Sequence, residues 1–396
     1  MIIQTTLGKF CPFKYGKELS ANKRLPGDFP VYGSNGIVGF HNESYVKTHG
    51  VVIGRKGSVG ALHISDGPFW PIDTSFYAVK GDYFETLYTY YLLKSLGLND
   101  MNSDSAVPGL NRDNAHALKI DVLEKEEDRA AVGKLISKFD DKIENNQRMN
   151  ETLEEMAQAI FKSWFVDFDP VHAKAAGNPP AHMDTDTAAL FPNSFSDDGL
   201  PVGWKQKNVL EAFDFTMGQS PPSSTYNEEK NGIPFWQGRR DFGFRFPSNR
   251  VYCTAPTRFA NEGDTLISVR APVGDVNRAL ERCCIGRGVA ALMHKSKLAS
   301  YTYYTALELR EQFKVYEAIG TVFGSINKTE FGKLKIVASD GGIEDVFESL
   351  VSALDSKILT NHLEIETLKN LRDTLLPKLM SGEVHVKDAE RKVEDL

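Results

Sequence analysis

The sequence predicts an α+β fold, in which two similar mixed α/β domains are joined by two long helices that form an antiparallel coiled coil, with a pseudo-two-fold axis relating the halves. Three observations predict it. A globular block of the 396-residue chain recurs about 214 residues later, a heptad pattern follows each copy, and a polar segment containing proline separates the halves. The predicted segments are a first domain at 1–124, a long helix at 125–165, a linker at 166–203, a second domain at 204–338, a second long helix at 339–381 and a charged tail at 382–396.

The repeat keeps both residue type and spacing. Val52-Ile53 followed by Gly57-Ser58-Val59-Gly60 matches Leu266-Ile267 followed by Ala271-Pro272-Val273-Gly274. Asn111-Arg112 matches Asn327-Lys328 in the same way. A repeat of this length indicates two homologous globular units and not a solenoid. Two equivalent units, each followed by a long helix, favour binding to a target that has two halves.

Short apolar runs separated by glycine predict strands and turns within both domains. The clearest lie at 29–32, 36–40 and 51–54 in the first domain and at 233–238 and 263–267 in the second. The glycine-rich stretch Gly54–Gly60 lacks the spacing of a nucleotide-binding loop, so it predicts a strand, a turn and a second strand. The tyrosine-rich segment Tyr83–Leu98 and its counterpart Lys297–Phe313 each predict a short amphipathic helix.

Apolar residues recur in alternating steps of four and three along both long helices, a period typical of coiled coils. The seam positions are Val132, Ile136, Phe139, Ile143, Asn146, Asn150, Leu153, Ala157, Ile160 and Trp164, and then Phe347, Val351, Leu354, Ile358, Asn361, Ile365, Leu368, Arg372, Leu375 and Leu379. Asn146 and Asn361 occupy the same seam position, where a polar residue can set the register. The alternative is an asparagine whose hydrogen bonds are simply satisfied or which faces water. Pro377 is predicted to end or kink the second helix near its last turn.

The linker and the tail are predicted to lack regular structure. Residues 166–203 alternate small, proline and acidic residues, which is typical of an irregular surface segment. The tail from Gly382 onward is charged and is predicted to fray.

Composition and charge exclude several classes of protein. Apolar residues make up 41% and charged residues 25%, as in ordinary globular proteins. The net charge of −7 is uneven, since residues 204–338 carry 19 basic and 13 acidic residues, a local charge of +6 that is compatible with DNA contact. The sequence predicts neither a signal peptide nor a membrane span. The four cysteines form no Cys-x-x-Cys motif, so we expect a cytoplasmic protein without a disulfide framework or a zinc site.

A search for catalytic motifs finds none that holds, so the sequence predicts no catalytic residues and no metal. Asn178-Pro179-Pro180-Ala181 lacks the aromatic residue of an amino-methyltransferase motif and is interpreted as a proline-rich turn. Glu228-Glu229-Lys230 resembles half of a metal-nuclease motif but lies in a polar loop. The histidines are scattered without metal-ligand spacing.

Five local stretches resemble the specificity subunit of type I DNA restriction-modification enzymes, and the resemblance covers nearly the whole chain. They are Ser163–Val171, Ala188–Pro192, Leu200–Trp204, Gly218–Ser223 together with Ile233–Gly238, and Leu375–Val384. The first domain departs from the pattern, because Tyr15-Gly16-Lys17-Glu18 stands where the second has a Gly-Gln-Ser-Pro-Pro string.

The resemblance implies a non-catalytic subunit that binds double-stranded DNA. Each domain is then a target recognition domain that reads one half of a split target, and the paired helices set the spacing and dock two methyltransferase subunits. It also implies restriction (motor-nuclease) subunits as partners and no membrane. No cofactor is expected in this chain, with S-adenosylmethionine in the methyltransferase and ATP and Mg in the restriction partner. The alternatives are a coiled-coil adaptor that binds proteins and an enzyme, such as a nuclease, with an unrecognised site.

The candidate DNA contacts are basic, amide, hydroxyl and aromatic side chains on predicted turns. Arginine can read guanine through its fork of donors, and glutamine or asparagine can read adenine. The candidates are Lys14, Tyr15, Lys17, Arg55, Lys56, Ser58, Asn111, Arg112, Gln219, Ser220, Gln237, Arg239, Arg240, Arg270, Asn327 and Lys328. Many of these residues would hold phosphates and position the protein without reading bases. Residue by residue, solvated surface charge is the alternative.

Overall fold

The computed structural model describes residues 1–101, 109–317, 324–339 and 342–394, and it divides into two compact units. The first unit comprises Met1–Arg148 together with Asn361–Leu396, and the second comprises Met149–Thr360. Each unit therefore includes part of both long helices, so the units do not end at the predicted domain boundaries. Within the described residues, no helix combines the length and the apolarity that crossing a membrane requires.

Among its described residues, the first unit contains nine strands and three short α-helices before the first long helix. The strands are β1 (Ile2–Thr6), β2 (Lys14–Tyr15), β3 (Phe29–Gly33), β4 (Gly36–His41), β5 (Gly50–Gly54), β6 (Leu62–Ser65), β7 (Trp70–Pro71), β8 (Ser75–Ala78) and β9 (Lys119–Leu123). The helices are α1 (Leu7–Phe10), α2 (Tyr83–Ser95) and α3 (Arg112–His116), and the long helix α4 (Glu126–Phe165) follows. The sheets have the strand orders β1-β9, β2-β8-β5-β6 and β4-β3-β7.

The second unit repeats this plan with eleven strands among the described residues. They are β10 (Lys205–Asn208), β11 (Phe213–Met217), β12 (Tyr226–Asn227), β13 (Ile233–Trp236), β14 (Tyr252–Cys253), β15 (Phe259–Ala260), β16 (Thr265–Ser268), β17 (Val276–Arg278), β18 (Cys283–Ile285), β19 (Val289–His294) and β20 (Lys335–Ala338). The helices after α4 are α5 (Asp169–Ala175), α6 (Thr185–Leu190), α7 (Val209–Ala212), α8 (Ala299–Glu308), α9 (Arg310–Glu317), α10 (Lys328–Phe331), α11 (Ile343–Met380) and α12 (Val386–Glu394). The sheets have the orders β10-β20, β11-β19-β16-β17 and β12-β14-β13-β18-β15.

The internal repeat is visible in the sheets. The four-stranded sheets β2-β8-β5-β6 and β11-β19-β16-β17 have equivalent strands in the same order, and the two-stranded sheets β1-β9 and β10-β20 also correspond. In each unit a central strand, β5 or β16, is buried along its whole length. This burial explains the continuous apolar runs Val51–Ile53 and Leu266–Ile267, since a strand covered on both faces does not alternate.

The tyrosine-rich helices form as predicted, but they are not amphipathic. In α8, every residue from Ser300 to Ala306 is buried, and α2 is buried along most of its length. The helix predicted over Lys297–Phe313 is interrupted at Leu309, where α8 ends and α9 begins. Both tyrosine-rich helices therefore belong to the cores of their units.

The two long helices pack antiparallel in both units, as predicted. In the first unit Arg372 donates to Asp140 at 2.7 Å, and Asn146 donates to Glu364 at 2.9 Å. The residue numbers of the contacts therefore rise along α4 while they fall along α11. In the second unit the rings of Phe161 on α4 and Phe347 on α11 have centroids 5.5 Å apart. Most predicted seam residues are buried, including Val132, Ile136, Phe139 and Ile143 on α4 and Val351, Ile358 and Ile365 on α11.

The seam asparagines do not face water. Asn146 is 1% and Asn361 0% exposed, and the amide of Asn146 donates to the carboxylate of Glu364 across the helix pair. The water-facing alternative is therefore wrong for both residues. A role in setting the register stays a prediction.

The prediction that the linker is irregular is wrong for two short helices within it, which have seven and six residues. It contains α5 and α6, and Val171 and Phe191 are buried in the main apolar cluster of the second unit. The side chain of Phe191 packs edge-on against Trp164 at the end of α4, with centroids 5.3 Å apart. Buried aromatic contacts give this segment a fixed conformation that its polar composition does not indicate.

The predictions for the end of the chain hold only in part. Pro377 lies inside α11, which ends three residues later at Met380, and a kink at the proline stays a prediction. The tail does not fray throughout, because α12 packs on the first unit with Ala389 fully buried. The partly buried Val386, three residues before Ala389, shows the helical spacing that could have predicted this contact.

A buried arginine links both long helices to the sheet region of the second unit. Arg245 is 1% exposed and donates to Glu154 on α4 at 2.9 Å and to Asp355 on α11. Its guanidinium carbon lies 3.7 Å from the ring centroid of Tyr303, and it donates to the hydroxyl of Tyr304 at 2.9 Å. Burial raises the pKa of both tyrosines, so their hydroxyls stay protonated at neutral pH. No sequence motif indicated this cluster.

Candidate nucleic-acid interface

Lys56 and Arg270 occupy equivalent turns, each just after the central strand of its sheet. Lys56 forms an isolated antiparallel bridge with Gly109, and Arg270 forms one with Ser325. The next backbone bonds also match, since Leu110 donates to the carbonyl of Arg55 and Ile326 to that of Val269. Both cationic side chains are exposed. The structure thus places a cation at the same point of the same turn in both units.

A second pair of equivalent turns follows β2 and β11. The backbone N–H of Gly16 donates to Ser75, and that of Gly218 donates to Val289, which is the counterpart of Ser75. A Cβ atom on Gly16 would lie 2.0 Å from the carbonyl oxygen of Ile72, and one on Gly218 would lie 2.1 Å from that of Gly286. Both turns therefore require glycine. Tyr15-Gly16-Lys17-Glu18 and Met217-Gly218-Gln219-Ser220 are different side chains on the same backbone turn.

Two arginine candidates of the first unit, Arg55 and Arg112, lie against the ring of a third candidate, Tyr15. The guanidinium carbons of Arg55 and Arg112 each lie 5.0 Å from the ring centroid of Tyr15. That ring packs edge-on against Phe76, with centroids 5.0 Å apart, and is 47% exposed. Arg55 also donates to the backbone carbonyl of Asp73 at 3.0 Å. Separations below about 6 Å are typical of cation–π attraction.

Lys14 and Lys17 form a different cluster. The ammonium of Lys14 lies 6.0 Å from the ring of Tyr77, and that of Lys17 lies 5.5 Å from Tyr45 and 5.6 Å from Trp70. Successive side chains of a strand point to opposite faces, so Lys14 and Tyr15 diverge. The structure therefore separates the predicted contacts of the first domain into two aromatic and cationic groups. Ser58 is half-buried in the tight turn after Gly57 and belongs to neither.

Asn111 and Asn327 cap short helices. The side-chain oxygen of Asn111 accepts from the backbone N–H groups of Asp113 and Asn114, and that of Asn327 accepts from Glu330. Glu330 in turn accepts from the N–H of Asn327, which completes a capping box. An amide that reads adenine needs this oxygen as an acceptor. In this conformation the side-chain oxygens of both residues are engaged as helix caps, which the Asn-Lys-Thr-Glu sequence could have indicated. Their role in DNA contact stays a prediction.

The amide and hydroxyl candidates of the second unit surround one short loop. The backbone of Gln219 donates to Ile285, the hydroxyl of Ser220 accepts from the N–H of Arg287, and the carbonyl of Gln237 accepts from Gly288. The side chains of Gln219, Gln237 and Arg287 are exposed. The sequence analysis missed Arg287, which lies 67 residues from Ser220 along the chain.

The remaining basic candidates lie elsewhere in the second unit. Arg239 forms an ion pair with Asp275, so the charge of Arg239 is partly neutralised. Arg310 also contacts Asp275, at 3.3 Å. Arg240 is exposed beside it. Lys328, in the first turn of α10, lines a polar pocket together with Asp214 and Asp264, and burial raises the pKa of Asp264.

A family model described as the type I restriction modification DNA specificity domain matches residues 4–155 of this chain. The putative type I restriction enzyme MjaX specificity subunit of Methanocaldococcus jannaschii is 29% identical over 315 residues, which cover 76% of this chain and 69% of the relative. The type I restriction enzyme HindI specificity subunit of Haemophilus influenzae is 25% identical over 336 residues, which cover 70% and 71%.

One solved structure supports the fold. The crystal structure of the type I restriction-modification S subunit from M. genitalium matches with a TM-score of 0.64 at 17% identity, over 96% of each chain. At this identity the likeness concerns the arrangement of helices and strands alone.

Proposed function

This chain belongs to the family of type I restriction-modification DNA specificity subunits, and from that premise we propose that its two domains each read one half of a bipartite DNA target. Members of this family recognise DNA sequence and are not the catalytic components. They assemble with methyltransferase and restriction subunits. The comparisons support neither the protein-binding adaptor nor the nuclease alternative.

One observation carries the bipartite reading. Lys56 and Arg270 occupy the same point of equivalent turns, although the side chains around them differ. A shared cation suits a contact to phosphate, which every DNA sequence presents. Different neighbours suit two domains that read different bases. The net charge of +6 on residues 204–338 favours the same surface chemistry, because phosphate contacts dominate DNA affinity.

The partners are proposed at a finer level. Two methyltransferase subunits would dock along the paired helices and bring S-adenosylmethionine, and each would flip an adenine out of the duplex for N6-methylation. Restriction subunits would bring ATP and Mg. This chain would hold no cofactor of its own. A location in the cytoplasm, together with the host DNA, stays part of the proposal.

A domain exchange tests the bipartite reading. Replacing residues 204–338 by the equivalent domain of another specificity subunit should change one half of the methylated motif and leave the other half unchanged, because each domain reads separately. Methylome sequencing of a host that expresses the chimera with its methyltransferase provides the readout. The reciprocal exchange of residues 1–124 is the matched control and should change the opposite half. A continuous motif in the parent, or a chimera that changes both halves, would contradict the proposal.

A further inference from the structure

We infer that Arg55, held against the ring of Tyr15, reads a guanine in the half-site of the first domain, and that Arg112 on the same ring contacts the flanking phosphate. The inference rests on the proposed function and deepens it, because it names a base and a residue. It also assigns Tyr15 as the positioning residue of Arg55.

The surroundings of Arg55 fix its guanidinium plane. The group lies 5.0 Å from the ring centroid of Tyr15 and 5.8 Å from that of Phe76, and one nitrogen donates to the carbonyl of Asp73. Tyr15 is itself held edge-on against Phe76. Arg55 is half-buried, whereas the neighbouring Lys56 is exposed. An arginine packed in this way loses little further side-chain freedom when its remaining donors meet a ligand.

An oriented guanidinium is suited to guanine. The O6 and N7 atoms of guanine lie side by side in the major groove and accept two parallel hydrogen bonds from one arginine fork. That contact needs a defined plane. A phosphate, in contrast, can be held by a flexible point charge such as lysine. The packing around Arg55 is therefore more restrictive than a phosphate contact requires.

Comparison with the second unit distinguishes the role of Arg55 from that of Arg112. Backbone pairing makes Val269 the counterpart of Arg55, Met217 the counterpart of Tyr15 and Lys328 the counterpart of Arg112. Charge is thus kept at the position of Arg112 but not at the position of Arg55. A contact to phosphate is needed in both domains, whereas a contact to a particular base is needed in one. The position that differs between the domains is the one expected to read sequence.

The pairing of Arg112 agrees with this assignment. Its guanidinium lies 3.4 Å from the carboxylate of Asp113, whose side chain is 84% exposed. An ion pair this exposed contributes at most about 1 kcal/mol, so a phosphate can replace the carboxylate at little cost. Arg55 has no corresponding ion pair among the described residues.

The test uses the chain assembled with its methyltransferase subunits and duplexes that carry the methylated motif. Arg55→Lys keeps the charge but removes the fork, so discrimination at one G·C pair of the first half-site should fall by roughly 5- to 150-fold, the equivalent of about 1–3 kcal/mol. The second half-site and the salt dependence of binding should not change. Arg112→Lys keeps a cation for phosphate, as the second unit has lysine there, so it should not change discrimination at any G·C pair. Lys119→Ala, exposed on β9 outside both turns, is the control and should leave binding and motif intact. Tyr15→Phe should retain discrimination, and Tyr15→Ala should weaken it.

A substitution in the DNA checks the same contact without altering the protein. Replacing the guanine by 7-deazaguanine removes the N7 acceptor, so the unaltered complex should bind less tightly and the Arg55→Lys complex should be insensitive to the change. Equal sensitivity of both complexes at every guanine, a first half-site without a G·C pair, or loss of affinity with a shallower salt dependence and an unchanged motif would each overturn the inference. A continuous motif in the unaltered protein would instead refute the proposed function.

Discussion

At the scale of single residues, Arg245 is the clearest case of a charge that the fold requires. It is almost fully buried and is compensated by Glu154 from one long helix and Asp355 from the other. Arg278 adds a second cation to Asp355 at 2.8 Å. A buried charge is tolerated only when it is paired and hydrogen-bonded. The cluster therefore depends on all of its members.

Replacing Arg245 by Ala should destabilise the second unit strongly. It leaves two carboxylates with too few cations, and breaking a buried pair in this way costs about 3–5 kcal/mol. Denaturant unfolding with a probe in the second unit measures the loss. Arg250→Ala is the control, because the Arg250 side chain is 41% exposed and solvent screens its ion pairs, so its removal should change stability little. Equal losses for the two variants would show that the cluster does not stabilise the unit.

Lys56 and Arg270 allow a direct test of surface contacts. Replacing either by Ala should weaken DNA binding and reduce the slope of log affinity against log salt by about 0.9 for each phosphate contact that is lost. Assembly with the methyltransferase should be unaffected, since both side chains are exposed. Lys119→Ala serves as the control, because Lys119 is exposed on β9 outside both turns. If affinity and slope match the control, these residues are solvated surface charges.

At the scale of elements, asparagine residues have different roles in helices of different length. Asn111 and Asn327 stabilise the first turns of α3 and α10. These helices are so short that few other contacts within them can stabilise them. Asn146 instead lies in the middle of a 40-residue helix, where it is buried and bonded to Glu364. Residue type alone does not separate a cap from a seam position. The position within the element decides.

The cap at α10 can be tested by substitution. Asn327→Ala should lower the free energy of unfolding by about 1 kcal/mol, whereas Asn327→Asp should retain it, because aspartate caps a helix equally well. If Asn327 acts only as a cap, the Asp variant should also retain the methylated motif. Denaturant unfolding and methylome sequencing give the two readouts. A motif that relaxes at an adenine in the Asp variant would show that Asn327 reads that base as well as capping the helix.

At the scale of the whole molecule, the two units share a plan but not a surface. Both have glycine at the turn of Gly16 and Gly218, and both place a cation at Lys56 or Arg270. Only the first unit has arginines packed on an exposed tyrosine at these equivalent positions, since the second has Met217 and Val269 there. A conserved frame with different side chains fits a protein proposed to read two unlike half-sites.

The length of the long helices should set the unspecified spacer of the target. Inserting seven residues after Arg148 and seven after Thr360, where the two units divide, keeps the heptad seam on both helices. Each insertion adds about 10 Å of helix, or roughly three base pairs at ~3.4 Å per pair. We expect a lengthened spacer with both half-motifs unchanged, measured by methylome sequencing. An active variant that keeps the original spacer would show that the helices do not set it.

The sequence by itself determined the repeat, the long helices and the resemblance to type I specificity subunits. These features depend on residue type and spacing, which can be read from the sequence directly. The recurrence of Lys142-Ile143 as Lys357-Ile358 is one example. The unbroken seam steps predicted a coiled coil, and the contacts between α4 and α11 show that the pairing is antiparallel. The candidate surface was recovered in part, since Tyr15, Arg55 and Arg112 were named but their common ring was not.

The tertiary structure decided which residues act together. Arg245 contacts partners 91 and 110 positions away along the chain, and no local pattern records such distances. The order of the linker and the tail likewise depends on buried contacts, at Phe191 and at Ala389, with residues far away in sequence. A polar segment stays exposed only if no apolar surface of the folded protein lies where the segment's few apolar residues can pack. Which surface is available is a property of the folded chain.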